Sequence, residues 1–295
     1  MSSKAMRRFR GASGIVVSPL LYLASRLTHS QRVLEASIAA DNRNFRAVSD
    51  RLRGRNPAFN QLIAAAQFAA ALGPEDAETV KQLLPRAEGQ LLQDVFCLLA
   101  NKEKREGYFV EVGVGAGRKI SNTYLLETGF GWNGILVEPN VSSHESIRAE
   151  RRVILETRAA ASKSGMKLKF EEVIGNGEHS RVANTGGHPV RADAIRSYTV
   201  ETVTLNEILS QNSAPNRIDF LSLDTEGSEL DILAGLDFDK YVFHALAIEH
   251  NYNQATLAAL RAMLIPLGYK QVFREVSDFD AWFVHASAPN TFTTS

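Results

Sequence analysis

The hydrophobic positions in the middle of the chain form two short apolar segments on either side of a glycine-rich turn. Residues 108–112 make the first segment, which carries Glu111, and residues 134–137 make the second, which is followed by Glu138. Between them lie three alternate glycines and a stretch, 121–127, that predicts a helix. Short apolar runs bounded by turn residues are typical of buried strands. The pattern therefore predicts a strand–turn–helix–strand unit with parallel strands.

Apolar and helical segments keep alternating after this unit. Further strands are predicted at 153–155, 167–173, 197–203, 218–223, 245–248, 269–273 and 281–284, and helices at 142–151, 205–210, 228–233 and 257–267. We expect the last two strands to pair antiparallel, and residues 167–173 to form an edge strand or a hairpin arm. Strands that alternate with helices predict an α/β protein with a mostly parallel sheet. The irregular segment 174–196 predicts a long loop, of the kind that carries function or moves.

The first third of the chain has a different pattern. Residues 31–105 are rich in alanine, leucine and glutamine, with breaks at glycine and proline, which predicts helices throughout. Within them, residues 90–101 have a broad apolar face and should pack on the sheet just before the first strand. The predicted domains are therefore an all-helical N-terminal region, 1–88, and an α/β domain, 89–295.

The N-terminal residues combine positive charge with a short apolar stretch. Residues 1–34 hold several basic residues and no acidic one, around an apolar run at 14–24. This pattern resembles a secretory signal, and it also fits an interfacial segment that lies on a membrane. An ordinary N-terminal arm is the third interpretation, so residues 1–30 are expected to be mobile or membrane-interfacial.

Composition excludes some classes of function. The 295 residues carry 33 basic and 33 acidic side chains, so the chain as a whole offers no positive field to a nucleic acid. The charge is uneven, because residues 1–105 are net basic and residues 106–295 are net acidic. The single cysteine, Cys97, excludes an intrachain disulfide and favours a reducing, cytoplasmic setting.

The glycine-rich turn suits a nucleoside ligand. Glycine adopts positive φ and has no Cβ, so Gly113, Gly115 and Gly117 allow a tight turn and a close approach of the ligand to the backbone. The following helix presents unpaired N–H groups at its N-terminus. Glu138, at the end of the second strand, can accept hydrogen bonds from two ribose hydroxyls. In open α/β sheets such sites lie at the carboxyl ends of the strands.

Two residues near the turn distinguish between nucleosides. The dinucleotide fingerprint G-x-G-x-x-G needs a third glycine where this chain has Arg118. Glu111, two residues before the first glycine, would repel a pyrophosphate and attract a cation. S-adenosylmethionine (SAM) carries a sulfonium and an amino group. The turn therefore favours SAM over NAD.

Several ordered motifs then resemble one family. They are QDVFCLLANKEKREGYFVEVGVGAG, SNTYLLE, GWNGILVEPN, IDFLSLDTEGSELDIL, AIEHN and, in the last strand pair, GY and DAWF. On these motifs, residues 89–284 resemble the FkbM-type SAM-dependent methyltransferases, which have the class I methyltransferase fold. The resemblance implies a Rossmann-like sheet of seven strands whose last strand is antiparallel. It also implies methyl transfer to oxygen, often to a hydroxyl group of a sugar or a polyketide.

The resemblance also assigns cofactor-binding residues. They are Glu111, Gly113, Gly115, Gly117, Ser121, Asn122, Glu138, Pro139, Ser162, Asp224 and Glu226. Within this set, Ser121 and Asn122 would lie by the carboxylate of SAM, and Glu138 would bind its ribose. Ser162 would lie near the adenine, and Asp224 would lie where the methyl group leaves.

Methyl transfer to a hydroxyl group needs a base or a metal ion, since a hydroxyl is a poor nucleophile until it loses its proton. Candidate catalytic residues are Asp224, Glu226, Glu249 and His250, at the ends of neighbouring strands. Any of them could be the base, or Asp224, Glu249 and His250 could hold Mg²⁺, although histidine is an uncommon magnesium ligand. A helix cap is the alternative for Asp224, and a packing role is the alternative for His250. His179 and His188, in the long loop, are expected to be solvated, with a substrate role as the alternative.

These features predict a SAM-dependent O-methyltransferase that acts on a glycan, a sugar or a secondary metabolite. Its expected partner is that small-molecule or glycan acceptor, without a nucleic acid, and with a peripheral membrane contact through residues 1–34. The expected location is cytoplasmic or membrane-associated. An NAD-dependent oxidoreductase and a non-catalytic, partner-binding SAM-fold module remain the alternatives.

Overall fold

The computed structural model of the protein describes residues 57–292, apart from 176, 184 and 186–193. Residue contacts divide the chain between Ile63 and Ala64. The sheets and the cavity described below all belong to the second of these units. The basic N-terminal residues and His188 lie outside the described residues. Most of the predicted helical region, 1–88, does so too, so its boundary stays a prediction.

Helices and strands alternate through the described part of the chain. The helices are α1 (Pro57–Ala70), α2 (Pro74–Leu83), α3 (Gln93–Ala100), α4 (Tyr124–Phe130), α5 (His144–Glu150), α6 (Leu205–Gln211), α7 (Glu229–Ala234) and α8 (Gln254–Leu264). The strands are β1 (Tyr108–Val112), β2 (Asn133–Val137), β3 (Ile154–Glu156), β4 (Ala159–Ala160), β5 (Lys167–Val173), β6 (Arg181–Val182), β7 (Ile195–Val203), β8 (Arg217–Leu223), β9 (Val242–Glu249), β10 (Tyr269–Val272) and β11 (Asp280–His285). In the residues that the structure describes, no helix combines the length and the hydrophobicity that a bilayer span requires.

The central sheet has seven strands in the order β10-β11-β9-β8-β1-β2-β3. Strands β3, β2, β1, β8 and β9 run parallel to one another. The last strand, β11, lies between β9 and β10 and is antiparallel to both. The predicted fold class is therefore confirmed, including the antiparallel last strand.

Both faces of the central sheet are covered, as a parallel sheet requires. Side chains alternate along β1, so Phe109 faces one apolar cluster and Val110 and Val112 face the other. The first cluster includes residues of α1 to α5, and the second includes residues of α6, α7 and α8. The predicted packing of residues 90–101 on the sheet is confirmed, because Phe96 of α3 stacks on Trp282 of β11 with ring centroids 4.7 Å apart.

A second sheet, in the order β4-β7-β5-β6, was not predicted. Its strands β5 and β7 pair antiparallel along their length. Residues 167–173 are therefore a hairpin arm of this separate sheet and not an edge of the central one. The long segment predicted at 174–196 is partly ordered, since it contains a 3₁₀ turn, Gly177–His179, and strand β6.

Candidate active site

A cavity of about 210 Å³ lies at the carboxyl ends of β1, β2, β8 and β9. The second sheet contributes another wall through β5 and β6. Of the residues predicted to bind the cofactor or to act in catalysis, those that line the cavity are Glu111, Gly113, Gly115, Asn122, Glu138, Pro139, Asp224, Glu226 and Glu249. Those that do not line it are Gly117, Ser121, Ser162 and His250.

The glycines of the turn have different physical roles. Gly113 has a φ of 84°, and a Cβ there would lie 1.7 Å from the carbonyl oxygen of Asp224, so the turn after β1 packs directly on the turn after β8. Gly115 has a φ of 58° and lines the cavity, and a Cβ there would meet no atom within 4 Å. Gly115 therefore keeps backbone exposed to a ligand, whereas Gly113 joins two strands.

Glu111 is neutralised by a buried arginine that the sequence analysis did not single out. Asn122 N donates to Glu111 Oε1 at 2.7 Å, and Ser121 Oγ donates to Glu111 Oε2 at 3.0 Å. Arg151, which is 3 % exposed, forms ion pairs with Glu111 at 3.6 Å and with Glu127 at 2.5 Å. Arg151 Nη1 also donates to the carbonyl oxygen of Gly117, at 3.0 Å. This cluster of charged and polar side chains stabilises the glycine turn. Ser121 belongs to the cluster and does not line the cavity.

Glu138 links the end of β2 to the glycine turn. Its Oε2 accepts hydrogen bonds from the N–H groups of Val114 and Gly115, each at 3.0 Å, and its Oε1 accepts one from Asn140 N at 2.8 Å. Burial raises the pKa of the Glu138 carboxyl to about 6, against the opposite effect of these N–H donors. A carboxylate has about four acceptor positions, and three are used by these N–H groups, so Glu138 can still accept one hydrogen bond from a ribose hydroxyl.

Replacing Glu138 with alanine should weaken SAM binding by roughly 1–3 kcal/mol, because hydrogen bonds to a carboxylate are charge-assisted. The affinity is measured by calorimetry on protein whose fold is checked by circular dichroism. Glu145→Ala is the matched control, since Glu145 is an exposed acid on α5. A Glu138→Ala protein with the wild-type SAM affinity would remove Glu138 from the ribose site.

The donors and charges around the cavity fit a cationic nucleoside. The acidic side chains that line it are Glu111, Glu138, Asp224, Glu226 and Glu249, and the basic ones in the described part of the chain are His179 and Arg181. Asn122 is 6 % exposed, and its Oδ1 has no hydrogen-bond partner among the described residues. A buried acceptor oxygen without a partner among the described residues suits an ammonium group. The site therefore fits the amino and sulfonium groups of SAM better than a pyrophosphate.

Asp224 and Glu249 form a pair of carboxyl groups at the ends of β8 and β9, in which Glu249 is buried and Asp224 is half-buried. The two side chains interact with each other, and Glu249 Oε2 has no hydrogen-bond partner among the described residues. Burial raises the pKa of both carboxyls well above the ordinary range, and nearby acids, including Asp280 and Glu226, raise it further. Two carboxyls so close together cannot both be ionised, so the pair holds a proton at neutral pH.

His250 lies behind the cavity wall, against the last strand. Its Nε2 hydrogen-bonds to the carbonyl oxygen of Asp280 at 3.1 Å, while its Nδ1 is buried without a partner in the described part of the chain. Burial lowers the pKa of His250. The predicted magnesium ligands therefore do not converge. Throughout the described residues, no group of three His, Cys, Asp or Glu side chains is arranged to hold a metal ion.

Ser162 turns away from the cavity. Its N–H and its hydroxyl both donate to the Asp231 carboxylate, at 3.0 and 2.6 Å. Ala159 and Ala160, which form the short strand β4 just before it, line the cavity instead. The wall at this position is therefore apolar, as the face of an adenine ring requires.

His179 was expected to be solvated, but it lines the cavity and contacts Glu226. Its Nδ1 lies 2.8 Å from Glu226 Oε1, and Asn251 Nδ2 donates to Glu226 Oε2 at 3.3 Å. Glu226, Asn251 and Tyr252 all line the cavity in left-handed backbone conformations, with φ of 58°, 49° and 58°. Such conformations are costly for residues other than glycine and cluster at functional sites. No local sequence pattern indicated this arrangement.

A protein-family model for the methyltransferase FkbM domain matches residues 111–272, which is more than half of the chain. The chain belongs to the FkbM methyltransferase family. The match begins at Glu111 and includes the glycine turn, the Asp224–Glu249 pair and the inserted second sheet. This FkbM-family protein is therefore a methyltransferase of the SAM-dependent type, and the family resemblance predicted from the sequence is confirmed.

Solved structures of methyltransferases are also similar to this FkbM-family protein. Precorrin-6y C5,15-methyltransferase from Geobacter metallireducens is 12 % identical, with a TM-score of 0.34, and the match covers 60 % of this chain and 71 % of that one. A methyltransferase from Pyrococcus furiosus is 15 % identical, with a TM-score of 0.34, and the match covers 80 % and 97 %. A search of curated proteins found no match.

Proposed function

We propose that this protein is an O-methyltransferase that moves the methyl group of SAM to a hydroxyl group of a sugar, a glycan or a secondary metabolite. The observation that supports this proposal is the composition of a single cavity. It is lined by the glycine turn with Asn122 and Glu138, by strands β5 and β6 of the second sheet, by the turn that carries His179, and by aromatic rings.

The donor side would hold SAM through four features of the chain. Gly115 leaves backbone open to the ligand, and Glu138 accepts from the ribose. Asn122 Oδ1 accepts from the amino group of the methionine moiety. The Asp224–Glu249 pair keeps negative charge near the sulfonium. Bound SAM supplies an activated methyl group, so the task of the protein is to align the acceptor and to remove its proton.

The acceptor side combines aromatic rings with polar side chains. Phe170, Tyr252 and Phe279 line the cavity, and the rings of Tyr252 and Phe279 pack edge to face with centroids 6.2 Å apart. Arg181 and Asn251 add hydrogen-bonding groups at the same side. Apolar walls with a few converging polar groups are typical of small-molecule sites. A sugar, which has apolar C–H faces and hydroxyl edges, suits this surface.

SAM should raise the melting temperature of the protein, whereas NADH at the same concentration should not, because only a ligand that binds the native state shifts its stability. S-adenosylhomocysteine should act like SAM. A shift of the melting temperature with NADH alone would favour the oxidoreductase.

The atom that receives the methyl group is identified in a separate assay, with isotope-labelled SAM and an array of sugars, glycans and amines. Label found on nitrogen alone would contradict the proposed O-methylation, and the absence of any transfer would favour the non-catalytic module.

A further inference from the structure

We propose that His179 is the catalytic base that takes the proton of the acceptor hydroxyl, and that Glu226 is the residue that positions it. This inference rests on the proposed O-methylation. His179 stands on the 3₁₀ turn that leads into β6, and Glu226 stands on the turn after β8. Both residues line the cavity.

The contacts of Glu226 hold it in a defined orientation. Its side chain binds His179 Nδ1 through Oε1 and Asn251 Nδ2 through Oε2. Thr185 Oγ1 donates to its carbonyl oxygen at 3.3 Å. The next residue, Gly227, has a φ of 113°, and a Cβ there would lie 2.1 Å from the carbonyl oxygen of Thr185. The turn after β8 therefore packs tightly on the segment that carries His179.

The 2.8 Å contact with Glu226 determines which nitrogen of His179 is basic. A carboxylate accepts hydrogen bonds, so the Nδ1 atom that faces it carries the proton. The lone pair then lies on Nε2, on the opposite side of the ring. A carboxylate behind a histidine also stabilises the imidazolium that forms when the base takes a proton.

The two acids at the ends of β8 and β9 are less suited to this step than His179. Asp224 and Glu249 interact with each other, and Glu249 is 6 % exposed, so this pair is less open to an acceptor than His179 is. His250, another candidate from the sequence, does not line the cavity, whereas Glu226 lines it and contacts His179. The side chain of His179 is 33 % exposed, and it lines the same cavity as the aromatic rings of Phe170 and Tyr252.

The proton and electron balance of the step is complete without a further reactant. The acceptor O–H bond breaks as its oxygen forms a bond to the methyl carbon, and the proton passes to Nε2 of His179. The electron pair of the broken carbon–sulfur bond stays on sulfur. The products are a methyl ether, S-adenosylhomocysteine and an imidazolium ion, which returns its proton to water.

The tautomer of His179 can be measured without knowing the acceptor. Nitrogen-15 NMR of the full chain at pH 8, with S-adenosylhomocysteine added, should show the proton of neutral His179 on Nδ1. Glu226→Leu should shift it towards Nε2, the tautomer that an imidazole without such a partner prefers. A wild-type His179 protonated on Nε2 would overturn the proposal, whatever the enzyme methylates.

The activity test uses a sugar from the array that the wild type methylates, and its thiol analogue. His179→Asn retains a donor for Glu226 but has no basic nitrogen. The His179→Asn protein should have a kcat about 100-fold or more below that of the wild type on the hydroxyl substrate. On the thiol analogue, which ionises far more readily, its kcat should fall by less than about 10-fold. Glu226→Leu should lower kcat on the hydroxyl in the same selective way, with little change in KM. The control is His285→Asn, at the far end of β11, which should leave both rates unchanged.

The outcomes separate the two proposals. Equal losses on the hydroxyl and the thiol would contradict a base role for His179 and leave O-methylation standing. Wild-type turnover by His179→Asn, together with loss of turnover by Asp224→Asn, would transfer the role of base to Asp224. A wild type that methylates only amines would overturn the proposed function, and with it the role of His179 towards a hydroxyl.

Discussion

Replacing Glu249 with glutamine should stabilise the protein at pH 8, although the residue is buried beside the cavity. We expect the free energy of unfolding to rise by about 2–4 kcal/mol at pH 8 and by less than about 1 kcal/mol at pH 5. The amide of glutamine can donate to Asp224 as the protonated carboxyl does, but it needs no proton. Urea denaturation at the two pH values measures the difference.

The direction follows from the raised pKa of Glu249. Burial, with the charge of Asp224, places its pKa in the folded protein far above its ordinary value of 4.5. The folded protein therefore binds a proton that the unfolded chain releases above about pH 4.5. Stability from this group is present below that pH and is lost as the pH rises, by about 1.4 kcal/mol per pH unit at most.

An exposed acid provides the control for this prediction. Glu201→Gln, on the exposed side of β7, should change stability by less than about 0.5 kcal/mol at either pH. Equal stability of the Glu249→Gln protein and the wild type at pH 8 would show that Asp224 and Glu249 do not share a proton in the native state.

Replacing Arg151 with methionine should lower the free energy of unfolding by about 3–5 kcal/mol. Arg151 is buried between Glu111 and Glu127, and its guanidinium also donates to Thr123 Oγ1 at 2.8 Å. Its removal leaves two buried carboxylates without their cation, and one of them holds the segment after the glycine turn. We therefore expect weaker SAM binding as well, measured by calorimetry beside urea denaturation.

The next residue along the chain gives a matched control for Arg151. Arg152 is exposed, and its guanidinium donates only to main-chain carbonyl oxygens in the contacts described, so Arg152→Met should cost less than about 0.5 kcal/mol. Adding Glu127→Gln to Arg151→Met should restore part of the lost stability. If the double variant is no more stable than Arg151→Met alone, an unpaired Glu127 is not the main cause of the lost stability.

The parts of the fold that the sequence predicted well are those with a local hydrophobic pattern. The strands at 108–112 and 167–173 have the predicted bounds, since each is a short apolar or alternating run that ends at turn residues. The helix predicted at 121–127 instead spans Tyr124–Phe130. Ser121, Asn122 and Thr123 hydrogen-bond to Glu111 on β1 instead of beginning the helix. Helix propensity alone does not reveal that competition.

The parts of the site that were missed depend on contacts between distant positions. Arg151 meets Glu111 forty residues away in sequence, and His179 meets Glu226 forty-seven residues away. Neither residue belongs to a periodic pattern or a short motif. Ser162 failed to reach the cavity for a similar reason, because Asp231, on α7, binds it. The glycine turn could be predicted from the sequence, because its positive φ values and the close approach of neighbouring backbone require glycine at fixed spacing.

The second sheet has a further consequence for how enzymes of this kind diversify. Its strands β5, β6 and β7 occupy residues 167–203, between the segments that form the donor side of the cavity. Ala160 and Val203 of this sheet share an apolar cluster with the central sheet, and the N–H of Val141 donates to Tyr198 Oη at 3.1 Å. Under the proposed function, changes confined to this insertion would alter the acceptor contacts made by Phe170 and Arg181 while the glycine turn, Asn122 and Glu138 stay as they are.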